Sequence, residues 1–248
     1  MKILGNVTPL IKLVYALKYL RPNKREIYAA RERGDFEKER EAILGACTTW
    51  SAGCIKLFDA DVRVQGREFL PKEGPVVYVA NHQGYADIPV CLSILTNFQT
   101  GFIAKEELAK IPLYGQWIKD IRSVMIQRGD ARSSLRAIEE GIEYIKQGFS
   151  LVVFPEGTRS RGKDIAEFKK GSLRLATKSG VPVVPITING TYKIFEETGR
   201  IRSGQRVDII IHEPIETKDM DRAEASQLSE RVEKIIRDDY NKLKAQEV

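Results

Sequence analysis

Cysteine and histidine are scarce in this chain, and the scarcity closes off several kinds of chemistry. Three cysteines and two histidines among 248 residues include no C-x-x-C pair, so neither a disulfide framework nor a structural zinc site is expected, and no metal or other cofactor is assigned. Cys47 and Cys54 would lie about 10.5 Å apart along a continuous helix, too far to bridge. Reduced thiols and a cytoplasmic setting are therefore the natural expectation. The sequence also lacks a G-x-S-x-G elbow, which argues against an ordinary α/β-hydrolase, and it has no P-loop or dinucleotide fingerprint. It carries no low-complexity linker and no internal repeat.

Charge is plentiful. The formal net charge is +6 and 30% of residues are charged, a balance that suits an anionic membrane surface and phosphate-bearing substrates. No aromatic-basic nucleic-acid motif accompanies it, so no nucleic-acid partner is expected. The bias is strongest in residues 1–25, which hold Lys2, Lys12, Lys18, Arg21, Lys24 and Arg25 and no acidic residue. Ile3, Val7, Leu10, Val14 and Leu17 recur at helical spacing there, and Leu4, Ile11, Leu13 and Leu20 widen the apolar face. Lysines interrupt each long apolar run, so the segment reads as an interfacial helix and not as a membrane span; a core-packed helix is the alternative. A second helix is expected over residues 35–58, with Trp50 in the core of the pair and Arg21-Pro22-Asn23 as the turn before it. Residues 1–58 are thus expected to form a helical membrane-docking segment, and residues 59–248 an α/β domain.

Downstream, short apolar runs alternate with helical patterns. Val76-Val77-Tyr78-Val79-Ala80, Leu151-Val152-Val153 and Val207-Asp208-Ile209-Ile210-Ile211-His212 read as strands. Residues 131–147, 171–178 and 221–245 read as helices. The fold class expected is a mixed, partly parallel sheet flanked by helices, preceded by the two-helix extension.

Polar loops leave two of those strands. Asn81-His82-Gln83-Gly84-Tyr85-Ala86-Asp87 follows the first. An imidazole that takes a proton from an alcohol works best when a carboxylate fixes its second nitrogen and stabilises the resulting cation. His82 and Asp87 would be roughly 16 Å apart in an extended chain, so they meet only if the loop folds back, which Gly84 permits. Asp87-Ile88-Pro89 has the pattern of a helix start. The second loop, Phe154-Pro155-Glu156-Gly157-Thr158-Arg159-Ser160, follows the strand at 151–153.

Together these blocks resemble the glycerolipid acyltransferase family, whose members acylate glycerol phosphates and lysophospholipids. Further blocks occur in the family's order: Lys105 after Gly101-Phe102-Ile103-Ala104, Arg128 after Ser123-Val124-Met125-Ile126-Gln127, and Val181-Pro182-Val183-Val184-Pro185-Ile186. The likeness covers residues 76–189. The chain departs from the family pattern at Gly84, where a serine is frequent, and at Arg122 and Gln127, where glycine and aspartate are usual. Within the family the resemblance points most toward 1-acylglycerol-3-phosphate acyltransferases. It implies lysophosphatidate as acceptor, an acyl thioester on acyl-carrier protein or coenzyme A as donor, and the cytoplasmic face of the cell membrane as location.

In chemical terms, His82 would be the general base and Asp87 its orienting carboxylate. Arg159, Arg128 and Lys105 could supply cations for the acceptor phosphate, arginine being the better bidentate partner. The Gly157-Thr158 turn could present backbone N–H groups to an anion, and Glu156 could orient Arg159 or a substrate hydroxyl. Lys169 and Lys170 are assigned to solubility, Pro182 and Pro185 to the shape of a substrate wall, and His212 to structure. Three readings stay open beside this one: an acyltransferase for another acceptor, a phospholipase or transacylase, and a non-catalytic membrane adaptor.

Overall fold

The computed structural model describes residues 11, 14, 16–127 and 129–246. Most of the basic amphipath of residues 1–25 lies outside them, as does Arg128. Where the amphipath is described, Leu17 and Leu20 are buried in the main core, while Ile11 is exposed.

A single seven-stranded sheet, in the order β1-β7-β6-β2-β5-β3-β4, organises the molecule. Its strands are β1 (Asp61–Gln65), β2 (Val77–Ala80), β3 (Thr100–Lys105), β4 (Val124–Ile126), β5 (Ser150–Val153), β6 (Val183–Asn189) and β7 (Arg206–Ile211). Neighbours are parallel everywhere except between β6 and β7. The helices are α1 (Arg21–Glu32), α2 (Phe36–Phe58), α3 (Asp87–Ile94), α4 (Tyr114–Asp120), α5 (Ala131–Lys146), α6 (Arg174–Ser179) and α7 (Arg222–Ala245).

The central strands are covered on both faces, which explains why they read as unbroken apolar runs. Side chains alternate across the pleat. Tyr78 and Ala80 of β2 join a core with Ile43, Cys47, Trp50 and Cys54 of α2, Val90 and Leu92 of α3 and Trp117 of α4. Val77 and Val79 face the opposite core, with Ala137 and Ile145 of α5, Leu175 of α6 and Leu228, Val232, Ile236 and Tyr240 of α7. Fully burying each such aliphatic side chain contributes about 1.5–3 kcal/mol, so the two layers hold the sheet from both sides. Trp50 is in the core as expected, tilted against Trp117 at 6.3 Å between ring centroids.

One expectation fails at the start of the helix pair. Arg21-Pro22-Asn23 is not a turn but the opening of α1. Proline has no N–H to lose in a first helical turn and its φ is already helical, so it starts the helix. The reversal comes later, at Arg33-Gly34-Asp35. Gly34 takes φ 67° there, and Asp35 caps α2 by accepting from the Lys38 N–H at 3.1 Å. At the other end of the chain, Asp221 caps α7 with a reciprocal capping box to Glu224.

The turn from α4 into β4 explains a departure noted in the sequence. Arg122 has φ +61°, a conformation natural to glycine and costly to other residues. Its guanidinium forks onto both oxygens of Glu39 at 2.7 and 2.8 Å and lies 5.0 Å from the Phe149 ring centroid. Those contacts offset the local strain.

Candidate active site

Five consecutive parallel strands of the sheet, β6, β2, β5, β3 and β4, end at one edge, and the loops that follow them gather there. The loop after β2 leaves the sheet at a fixed point. The Asn81 side chain donates to Ile188 O at 2.9 Å and accepts from Ile188 N at 2.8 Å, so it extends the β2–β6 pairing by one residue without a backbone ladder.

His82 comes next, and the chain does fold back. Its Nδ1 lies 2.6 Å from Asp87 Oδ2. The same oxygen accepts the Gln83 and Gly84 N–H groups at 2.7 and 3.0 Å, and the other oxygen accepts a short hydrogen bond from Thr191 Oγ1. A buried carboxylate is costly unless it is satisfied in this way. Asp87 is the first residue of α3, and its side chain turns back onto the loop that precedes the helix. With Nδ1 donating to a carboxylate, Nε2 is the basic nitrogen, and it has no hydrogen-bond partner among the described residues. The imidazole stacks on Phe154 at 4.3 Å between centroids. It is thus fixed at one nitrogen and one face, and its side chain keeps 15% of its exposure.

The loop after β5 is laced to the first loop. Glu156 accepts the His82 N–H at 2.6 Å and the Ala166 N–H at 2.9 Å, while Ser160 N and Arg161 N donate to His82 O and Gln83 O at 2.8 and 3.1 Å. Both Glu156 oxygens are therefore engaged by backbone inside the protein, one on His82 and one on Ala166, and not on Arg159. Burial pushes its pKa up, opposed by those two N–H groups. Gly157 takes φ +66°, and a side chain there would collide with Lys169. Its N–H donates to Phe154 O at 3.1 Å, so that amide closes the turn. Thr158 is exposed.

Arg159 points toward the first loop. Its guanidinium carbon lies 3.7 Å from the Tyr85 ring centroid, and Nη1 donates to Glu196 Oε1 at 2.9 Å. Lys105, at the end of β3, reaches the same edge of the sheet but pairs locally with Glu107 at 2.8 Å and is 42% exposed. Arg128 lies outside the described residues. His212 is away from this constellation, with Nε2 2.8 Å from Thr187 Oγ1 and Nδ1 3.7 Å from Asp239.

Two residues escaped sequence reasoning, Thr191 and Glu196, both in the loop after β6. The Glu196 carboxylate is 3% exposed and also accepts the Tyr85 N–H at 2.8 Å. Burial raises its pKa, and its Oε2 has no hydrogen-bond partner among the described residues. Following the apolar run Val183–Ile188 to its end would have flagged this loop, because loops at the carboxyl ends of parallel strands border such sites.

The arrangement can hold an alcohol beside a basic imidazole nitrogen and an anion beside a guanidinium. Comparison with known proteins bears on what it does. A model of the family described as Acyltransferase matches residues 61–189. The 1-acyl-sn-glycerol-3-phosphate acyltransferase BAT2, chloroplastic, of Brassica napus is 41% identical over 155 residues, 61% of this chain and 44% of that protein. A 1-acyl-sn-glycerol-3-phosphate acyltransferase of Borreliella burgdorferi is 32% identical over 201 residues, 79% of this chain and 75% of that one. The chain therefore spans less than half the length of the plant relative and most of the bacterial one. Among solved structures, the 1-acyl-sn-glycerophosphate (LPA) acyltransferase PlsC of Thermotoga maritima superposes with a TM-score of 0.74 at 33% identity, covering 99% of this chain and 98% of that one.

Proposed function

The chain belongs to the acyltransferase family, and from that premise we propose that it is a 1-acylglycerol-3-phosphate O-acyltransferase. It transfers a fatty acyl group from an acyl thioester of acyl-carrier protein or coenzyme A to the free sn-2 hydroxyl of lysophosphatidate, making phosphatidate for phospholipid synthesis. The observation that carries this reading is the His82–Asp87 pair, 2.6 Å apart, with Arg159 held against the same loop through Tyr85.

In the proposed reaction, His82 Nε2 takes the acceptor's hydroxyl proton as the oxygen attacks the thioester carbonyl. The C–O bond forms and the C–S bond breaks. Asp87 stabilises the imidazolium, which returns its proton to the departing thiolate, so no acyl-enzyme is needed. Arg159 engages the acceptor phosphate with the guanidinium edge that Glu196 leaves unused, with Lys105 and Arg128 as the further candidate cations. Gly157 and Thr158 make up the substrate-binding turn that leads into Arg159, and Glu156 keeps the His82 backbone in register.

The protein works at the cytoplasmic face of the membrane as a peripheral or monotopic enzyme, the basic segment of residues 1–58 meeting anionic lipid and residues 59–248 carrying the chemistry. The cations of residues 1–25 support this part of the reading. Among the described residues no helix is long and apolar enough to cross a membrane.

The test is to incubate the purified protein in detergent with lysophosphatidate and a long-chain acyl thioester, beside His82→Ala, and to identify the products by mass spectrometry. Phosphatidate formed only by the parent is the expected result. Free fatty acid without phosphatidate would replace this reading with a hydrolase. Vesicles with and without anionic lipid, in a sedimentation assay, test the membrane part.

A further inference from the structure

Arg159 donates only one of its hydrogens to Glu196, from Nη1, and its flat face rests on Tyr85. A guanidinium gripped at one corner and one face offers its remaining N–H groups in a fixed direction. The grip depends on Glu196, which also holds the Tyr85 backbone at 2.8 Å and so ties the arginine and the ring under it to a single carboxylate. That carboxylate has its own requirement. A Cβ on residue 84 would lie 2.3 Å from Glu196 Oε2 and 2.7 Å from its Cδ, so the buried carboxylate occupies the volume that any side chain at this position would need.

We propose that Glu196 is the positioning residue of the acceptor site, presenting Arg159 to the phosphate of the acceptor, and that Gly84 is its obligate counterpart. The inference rests on the acyl-transfer reading above and adds to it a residue that no motif contains. Glu196 itself touches neither the phosphate nor the reacting atoms; it acts through Arg159 and the Tyr85 backbone. Because it fixes one long side chain, its loss is felt in acceptor binding and far less in the chemical step.

Four variants test this: Glu196→Ala, Glu196→Gln, Gly84→Ala and the double variant Gly84→Ala with Glu196→Ala. Each is assayed for KM and kcat with lysophosphatidate, for KM with the acyl thioester, and for thermal unfolding. Glu196→Ala should raise the acceptor KM by up to about tenfold, the cost of ordering one arginine side chain on binding, with the donor KM nearly unchanged. Glu196→Gln should stay close to the parent, since an amide oxygen accepts the same two hydrogen bonds. Gly84→Ala should reproduce the Glu196→Ala phenotype by pushing the carboxylate aside, and the double variant should be no worse than either single one. An unchanged acceptor KM in Glu196→Ala, or effects of the two substitutions that multiply, overturns the proposal. If the parent makes no phosphatidate, the functional reading fails by itself. The positioning role is then read by titrating inorganic phosphate against the Arg159 guanidinium resonance, and equal affinities in the parent and Glu196→Ala overturn it.

Discussion

Two clusters of buried acid and arginine sit at different places in this fold, and they are built to different ends. Where the helix pair meets the sheet, Glu39 is fully buried, takes the Arg122 fork on both oxygens and adds the Arg31 Nε at 2.8 Å. Beside it, Asp120 accepts the Tyr28 hydroxyl and the Gln116 amide, both at 2.8 Å, and pairs with Lys24 at 2.8 Å. At the carboxyl edge of the sheet, Asp87, Glu156 and Glu196 are just as enclosed. There, however, the groups they hold, His82 and Arg159, keep unspent capacity: a basic Nε2 and part of a guanidinium. In the first cluster Arg122 and Arg31 each commit two nitrogens to protein oxygens; in the second Arg159 commits one. Both clusters are buried and paired, so burial and pairing alone do not tell them apart; the number of donors each cation keeps does.

Substitutions can break this contrast from either side. Asp87→Asn should have the largest effect, lowering kcat by about three to four orders of magnitude, because an amide can neither fix the Nδ1–H tautomer nor stabilise an imidazolium; a kcat within tenfold of the parent would remove Asp87 from the mechanism. Glu39→Ala should cost about 3–5 kcal/mol of stability by leaving Arg122 and Arg31 without their counter-ion. At this chain length that is a fall of roughly 10 °C in unfolding temperature, while kcat and KM measured well below the transition stay at parent values. Arg159→Lys should do the reverse, raising the acceptor KM by about tenfold or more through loss of the flat, forked contact, with the melting curve nearly unmoved.

The smallest effect concerns pH. Burial holds the pKa of His212 below its ordinary value, against the pull of Asp239. The unfolded chain therefore binds more protons there as pH falls through about 6.5, and stability drops with it. His212→Asn should flatten the unfolding temperature between neutral pH and pH 5 without touching activity. A profile as steep as the parent's would assign that slope to other groups.

The sequence made the pairing of His82 with Asp87 readable because both lie in one short loop, with the apolar run of β2 announcing the loop before it begins. The layered sheet was readable for a related reason: strands such as Val77–Ala80 are buried on both faces, and their composition says so. Glu196 and Thr191 were not readable as partners of that loop. They reach it across more than a hundred residues, through the β2–β6 pairing, and pairing of distant strands leaves no local pattern. Arg122 and Glu39 were hidden in the same way, although glycine being usual at position 122 was a signal of a left-handed backbone there. The misplaced turn at Pro22 has a different cause, since proline both ends and begins helices and only the flanking packing decides which.

The connections out of β2, β3, β4 and β5 run through α3, α4, α5 and α6 before the chain returns to the sheet, so changing the length of any of them displaces a packed helix. The exit from β6 is different, because β7 runs antiparallel to it and residues 190–205 join the two strands through a 3-10 turn, Thr191–Ile194, in place of an α-helix. This segment carries Thr191 and Glu196, and Ile194 anchors it in the main core. One loop therefore touches both halves of the candidate site, Asp87 through Thr191 and Arg159 through Glu196, so a change in its length reaches both at once.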